Sequence, residues 1–139
     1  MPTNKNIGII KKAGALIFKG GKVLIVKPKE RPYFISPGGK YEEDENAEDC
    51  LRRELKEELQ VELVSAKHYK NYNIDKAAHS DNQLKLEFYI VEIAGDPKPS
   101  AEIGEIEWLS EEDFVNKKFN LAPSFVEFVP DLIRDGLLK

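Results

Sequence analysis

Glu54 and Glu58 stand where a helix needs apolar side chains. Residues 46–59 read NAEDCLRRELKEEL, and at about 100° per residue Ala47, Cys50, Leu51, Leu55 and Leu59 fall on one apolar stripe. Glu54 and Glu58 lie inside that stripe and Glu57 lies beside its edge. A lone carboxylate set against a core costs on the order of several kcal/mol unless it is paired, protonated or metal-bound. Positions 54, 57 and 58 are three and four residues apart, so their side chains gather on one face and repel. A hard divalent cation such as Mg²⁺ relieves that repulsion, because it prefers oxygen ligands. Mg²⁺ completes its shell with waters and substrate phosphates, so a site of few protein oxygens suits phosphate chemistry.

The rest of the chain must hold that helix in place. Residues 14–18 and 22–27 read as two strands joined through Lys19, Gly20 and Gly21, a glycine pair suited to a hairpin. Residues 27–32 form a basic loop closed by Pro32. Residues 33–35 read as a short strand stopped by Ser36, Pro37, Gly38 and Gly39. An acidic loop over 40–45 leads into the helix, with Asn46 as its cap and Asp49 as the partner three residues on. Strands are expected at 61–73 and 105–109. Another is expected at 83–93, where Leu84, Leu86, Phe88 and Ile90 alternate with charged residues. Polar or proline-bearing loops fill 74–82 and 94–101. A short capped helix is expected at 110–114, and a longer one at 124–138 around Phe125, Phe128 and Leu132, with Pro130 early in it or kinking it. Strands with hairpins and interleaved helices indicate a mixed sheet carrying helices.

A length of 139 residues suits one domain over 1–139, with 1–6 frayed. The net charge of −4 argues against nucleic acid as a partner. A polyanionic substrate must then be drawn in locally. The single cysteine, Cys50, excludes an intrachain disulfide, and its place on the stripe makes it a buried structural thiol. No apolar run reaches the length of a membrane-spanning helix, and residues 1–12 lack a signal-peptide core. The expectation is a cytoplasmic protein with no membrane partner. His68 and His79 are isolated and read as surface or strand residues.

The segment from Gly39 to Val61 resembles the Nudix box. That pattern runs Gly, five residues, Glu, seven residues, Arg-Glu, an aliphatic residue, any residue, Glu-Glu, any residue, Gly and an aliphatic residue. Here Gly39, Glu45, Arg53, Glu54, Leu55, Glu57, Glu58 and Val61 fill the defined positions. Gln60 departs from it, standing where glycine is expected. The Pro37-Gly38-Gly39 lead-in and the Trp108-Leu109-Ser110 segment also look like the family. A helix end commonly takes a left-handed residue, so glutamine at 60 costs on the order of 1 kcal/mol or ends the helix differently.

The resemblance implies an α/β (α+β) fold, a Nudix-like α/β/α sandwich with a mixed β-sheet flanked by helices. It implies a Mg²⁺-dependent hydrolase, with Mn²⁺ as a substitute ion. Glu54, Glu57 and Glu58 would be ligands, with Glu54 also orienting or deprotonating the attacking water. Gly39 would lend its carbonyl. Arg53 with Glu45 would aim the glutamates, although Arg53 could instead pair along the helix with Asp49 or Glu57. A further ligand from the loop before Trp108 would be Glu102, with Glu105 as its rival.

The implied reaction is cleavage of a nucleoside diphosphate linkage, and the substrate partner is a small nucleotide. A nucleoside triphosphate, cleaved to monophosphate and pyrophosphate, fits a minimal domain. A dinucleoside polyphosphate or nucleotide sugar is the alternative substrate, and a non-catalytic nucleotide sensor is the alternative function. Stacking candidates for the base are Tyr33, Phe34, Tyr41, Tyr69, Tyr72 and Tyr89. The basic residues Lys27, Lys29, Arg31 and Lys40 either solubilise the loop or meet phosphates.

Overall fold

The run expected to be one strand of a hairpin serves two sheets. Strand β1 (Ile9–Leu16) belongs to a four-stranded sheet, while β2 (Phe18–Lys19) turns into β3 (Lys22–Pro28) in a three-stranded one. Only Ile17 separates the two. The computed structural model describes residues 8–74 and 83–139. The frayed segment expected at 1–6 and most of the loop expected at 74–82, His79 included, lie outside the described residues.

The first sheet has the order β4-β1-β6-β5, with β4 at Gly38–Lys40, β5 at Glu62–Ile74 and β6 at Gln83–Ala94. It is mixed: β1 runs parallel to β6 and antiparallel to β4, and β5 pairs antiparallel with β6. The second sheet, β2-β3-β7, is antiparallel, with β7 at Ile103–Leu109. The strand expected at 33–35 contributes only isolated bridges, Val26 to Ile35 and Phe34 to Leu121. The Gly-Gly pair read as a stop is strand β4 itself, because Gly38 and Gly39 pair with Gly14 and Ala13.

Helix α1 (Ala47–Leu59) starts as expected. Asn46 accepts from the Asp49 N–H at 2.8 Å, and the Asp49 side chain answers the Asn46 N–H. Gln60 ends it in the left-handed region, at φ 58° and ψ 38°, so glutamine adopts the conformation a glycine favours. Helix α2 (Glu111–Val115) is capped by Ser110 in the same reciprocal way. Helix α3 (Phe125–Arg134) is shorter than expected and carries Pro130 in its interior.

Alternation along β3 shows how the layers form. Leu24 and Val26 join the core beneath α1, with Ala13, Ala15, Leu51, Leu55 and Leu59. Val23 and Ile25 join the core beneath α3, with Leu16, Phe88, Phe125, Phe128 and Leu132. Each β face is apolar, so each needs a helix, and the result is the expected α/β/α sandwich.

Candidate functional site

The glutamates of α1 meet β4 at close quarters. Glu58 is only 3% exposed, and its Oε1 accepts the Gly38 N–H at 3.0 Å. A side chain at Gly38 would put Cβ 2.1 Å from the Ala13 carbonyl oxygen, and its φ of +127° suits glycine alone. At Gly39 a Cβ would lie 2.5 Å from the carboxyl carbon of Glu54. Gly38 is therefore needed for β4 to lie against β1, and Gly39 leaves the space that the Glu54 carboxyl occupies.

Arg53 is held in a fork. Its Nε and Nη2 donate to Oε2 and Oε1 of Glu45 at 2.7 and 2.8 Å, and Nη1 donates to Glu54 Oε1 at 2.6 Å. A further bond reaches the Lys40 carbonyl at 3.1 Å. Among the described residues Arg53 bonds neither Asp49 nor Glu57, so the along-helix pairing is not the one adopted. The Arg53 guanidinium, helped by the Glu42 N–H, holds the Glu45 carboxyl down at about 2.

Carboxylate oxygens of Glu54, Glu58 and Glu102 all lie within 4.8 Å of one another. Glu102 sits exposed just before β7, and its carbonyl accepts the Lys29 N–H at 2.7 Å. Its rival Glu105 points elsewhere, to Lys27 Nζ at 4.0 Å. Glu57 is exposed and outside the trio, beside a shallow hollow shared with Arg52, Lys56 and Glu62.

Burial raises the Glu58 carboxyl to about 8; the Gly38 N–H pulls against this, while Glu54 and Glu102 add to it. Burial also raises Glu54, against the pull of Arg53. Buried Glu58, half-buried Glu54 and exposed Glu102 form a hard-oxygen donor set, of which Arg53 engages one oxygen, Oε1 of Glu54. That set fits a divalent cation. The Gly39 carbonyl accepts the Cys50 thiol at 3.5 Å. Cys50 is fully buried, and desolvation pushes its thiol up to about 11, so it is structural and no nucleophile.

Glu102 lines a cleft of about 390 Å³, together with Gly38 and Gly39, against which Glu58 and Glu54 rest. Its floor is the β1/β6 face bearing Ile10, Lys12, Gly14, Leu84 and Leu86; its rim includes Lys29, Arg31, Tyr33, Lys40, Glu102 and residues 122–124. Of the four basic residues, Lys29, Arg31 and Lys40 line the cleft, whereas Lys27 pairs with Glu105. Among the aromatic candidates Tyr33 alone lines it. Phe34 is buried against Phe119. The hydroxyls of Tyr41, Tyr69 and Tyr72 donate to Glu87, Asp135 and Asp131, and Tyr89 packs edge-on to His68. The sequence reading missed Lys12. Its only local signal is a cation in the cleft-facing half of an alternating strand.

The NUDIX domain model matches residues 10–132. This chain belongs to the Nudix family. It is a Nudix pyrophosphohydrolase, as the box implied. Solved structures share the fold. The MutT protein from Methanosarcina mazei Go1 is 22% identical with a TM-score of 0.81, over 95% of this chain and 98% of that one. The E. coli ORF135 protein is 24% identical with a TM-score of 0.75, over 92% and 91%. The MutT NUDIX hydrolase from Burkholderia pseudomallei is 26% identical with a TM-score of 0.64, over 73% and 82%. No curated protein matches the sequence.

Proposed function

We propose that this Nudix enzyme cleaves a nucleoside triphosphate to the monophosphate and pyrophosphate. Mg²⁺, or Mn²⁺ in its place, would be held by Glu54, Glu58 and Glu102, with Glu57 and the Gly39 carbonyl completing the set. The observation that carries the reading is the trio of carboxylates gathered within 4.8 Å of one another, with Glu102 lining a cleft of ligand size. When bound, the ion supplies charge neutralisation for the oxygens of the diphosphate linkage.

The side chains divide the remaining work. Arg53, locked by Glu45, fixes the Glu54 carboxylate through Oε1. That leaves Oε2 of Glu54 to orient the attacking water and take its proton. Glu58 is pinned through Oε1 by the Gly38 N–H, which leaves its Oε2 as the ligand atom. Tyr33 offers a ring at the rim for a base. The reading takes the chain as a single domain, 1–139, working in the cytoplasm.

The test is a nucleotide panel with Mg²⁺, scored by product identity as well as rate. Pyrophosphate and a nucleoside monophosphate from a triphosphate are the expected products. Faster cleavage of dinucleoside polyphosphates or nucleotide sugars would reassign the substrate. Tight nucleotide binding without any product would make the protein a sensor and overturn the reading.

A further inference from the structure

Lys12 interrupts an apolar floor. On β1 it shares a face with Ile10 and Gly14, and in the parallel register Ile10 and Lys12 lie beside Leu84 and Leu86 of β6. A half-buried ammonium on such a face needs a partner. Among the described residues Lys12 makes no hydrogen bond and no ion pair. The charges that act on it are those of Lys40, Glu58, Glu54 and Arg31. Its register partner on β4 is Lys40, so it lies beside the strand against which the acids rest. Two of the four are cations. The other two are carboxylates that the proposed divalent ion would claim, so of these four only the cations would be left to Lys12 in a loaded site.

Among the described residues no anion is left to answer that arrangement once the carboxylates are claimed, and an anion brought by the ligand would do so. We infer that Lys12 contacts the substrate directly, donating from the cleft floor to an oxygen of the phosphate chain. With Arg31 and Lys40 it sets a preference for the more anionic of two ligands sharing a nucleoside. Lysine suits this as a compact point charge that binds phosphate from any angle. The inference rests on the proposed cation and nucleotide site, and it adds a residue that the Nudix box does not contain.

Titration calorimetry in Mg²⁺ tests it, using a nucleoside α,β-methylene triphosphate and the α,β-methylene diphosphate of the same nucleoside. The parent should prefer the triphosphate analogue. Lys12→Met should weaken that analogue by roughly 10- to 100-fold and the diphosphate less, so that the preference shrinks. Lys12→Arg should keep most of it. Mg²⁺ alone should bind Lys12→Met at least as tightly as the parent, because a cation near the carboxylates has gone. Lys12→Gln gives a second neutral variant if the methionine protein fails to fold.

Triphosphate binding within about twofold of the parent in the neutral variants overturns the inference. So does an equal loss for both analogues, or a parallel loss of Mg²⁺ affinity, which would make Lys12 a prop for the carboxylates. A parent that hydrolyses nothing yet shows the Lys12-dependent preference would sink the proposed reaction and leave this inference standing.

Discussion

Helices α1 and α3 cover opposite faces of the same β layer by different means. Helix α3 buries Phe125, Phe128, Val129 and Leu132 and no charge. Its Ser124 cap makes no side-chain bond, and Pro130 interrupts its interior. Local signals for α3 are weak, and ring packing holds it, with Phe128 lying 4.3 Å from Phe88 and 4.9 Å from Phe125 between centroids. Helix α1 has a complete capping box, yet it buries Glu58 among Cys50, Leu51, Leu55 and Leu59. The contrast teaches that α1, fixed by its cap as well as by its core, keeps a buried acid on its inner face, whereas α3, held by ring packing, buries none.

Phe128→Ala should break α3 first. It should cost about 3–5 kcal/mol in urea unfolding, with Mg²⁺ affinity unchanged in the folded protein. Melting that stays at the parent value would remove packing as the account of α3. Glu58→Gln should do the reverse. kcat/KM should fall on the order of 10²- to 10³-fold with Mg²⁺ affinity, while metal-free stability at pH 8 holds or rises. Unchanged turnover in that variant would strip Glu58 of its role.

Proton linkage sharpens the same contrast. Burial lifts Glu58 from 4.5 to about 8, so between those values the folded protein binds more protons than the unfolded chain. Its contribution to metal-free stability is complete below about 4.5 and is lost as pH rises through about 8, by on the order of a few kcal/mol. Mg²⁺ should therefore raise Tm more at pH 8 than at pH 6, and Glu58→Gln should flatten the profile. A parent profile already flat over that window would refute the assignment. The smallest effect is expected at the end of α1. Gln60→Gly should add at most about 1 kcal/mol, less the loss of the Gln60 to Ser100 bond at 3.1 Å. A loss of stability there would mean that the side-chain bond outweighs the backbone strain.

What the sequence discloses follows from how local each signal is. The start of α1 was legible because Asn46 and Asp49 are three residues apart, and the α1 stripe because it repeats within a few turns. Strand β4 was not, since Gly38 and Gly39 look like a turn until β1 arrives beside them. The spacing of Glu54, Glu57 and Glu58 puts all three near one face. The sheet then divides them, covering Glu58 with the Gly38 amide and leaving Glu57 exposed. Glu102 could be placed beside the helix acids only by resemblance, because it comes from another sheet. Lys12 reaches the cleft through the β1 to β6 pairing, a parallel contact that no local pattern announces.

The segment bearing Tyr33 and the one bearing Pro123 are laced together. Phe34 N–H donates to the Asn120 carbonyl, Ala122 N–H to the Phe34 carbonyl, and the Asn120 amide to the Pro32 carbonyl, at 2.8, 2.9 and 2.7 Å. Neither can be remodelled alone. An insertion in one would displace the other, so reshaping this part of the cleft would require both stretches to be exchanged as a matched pair.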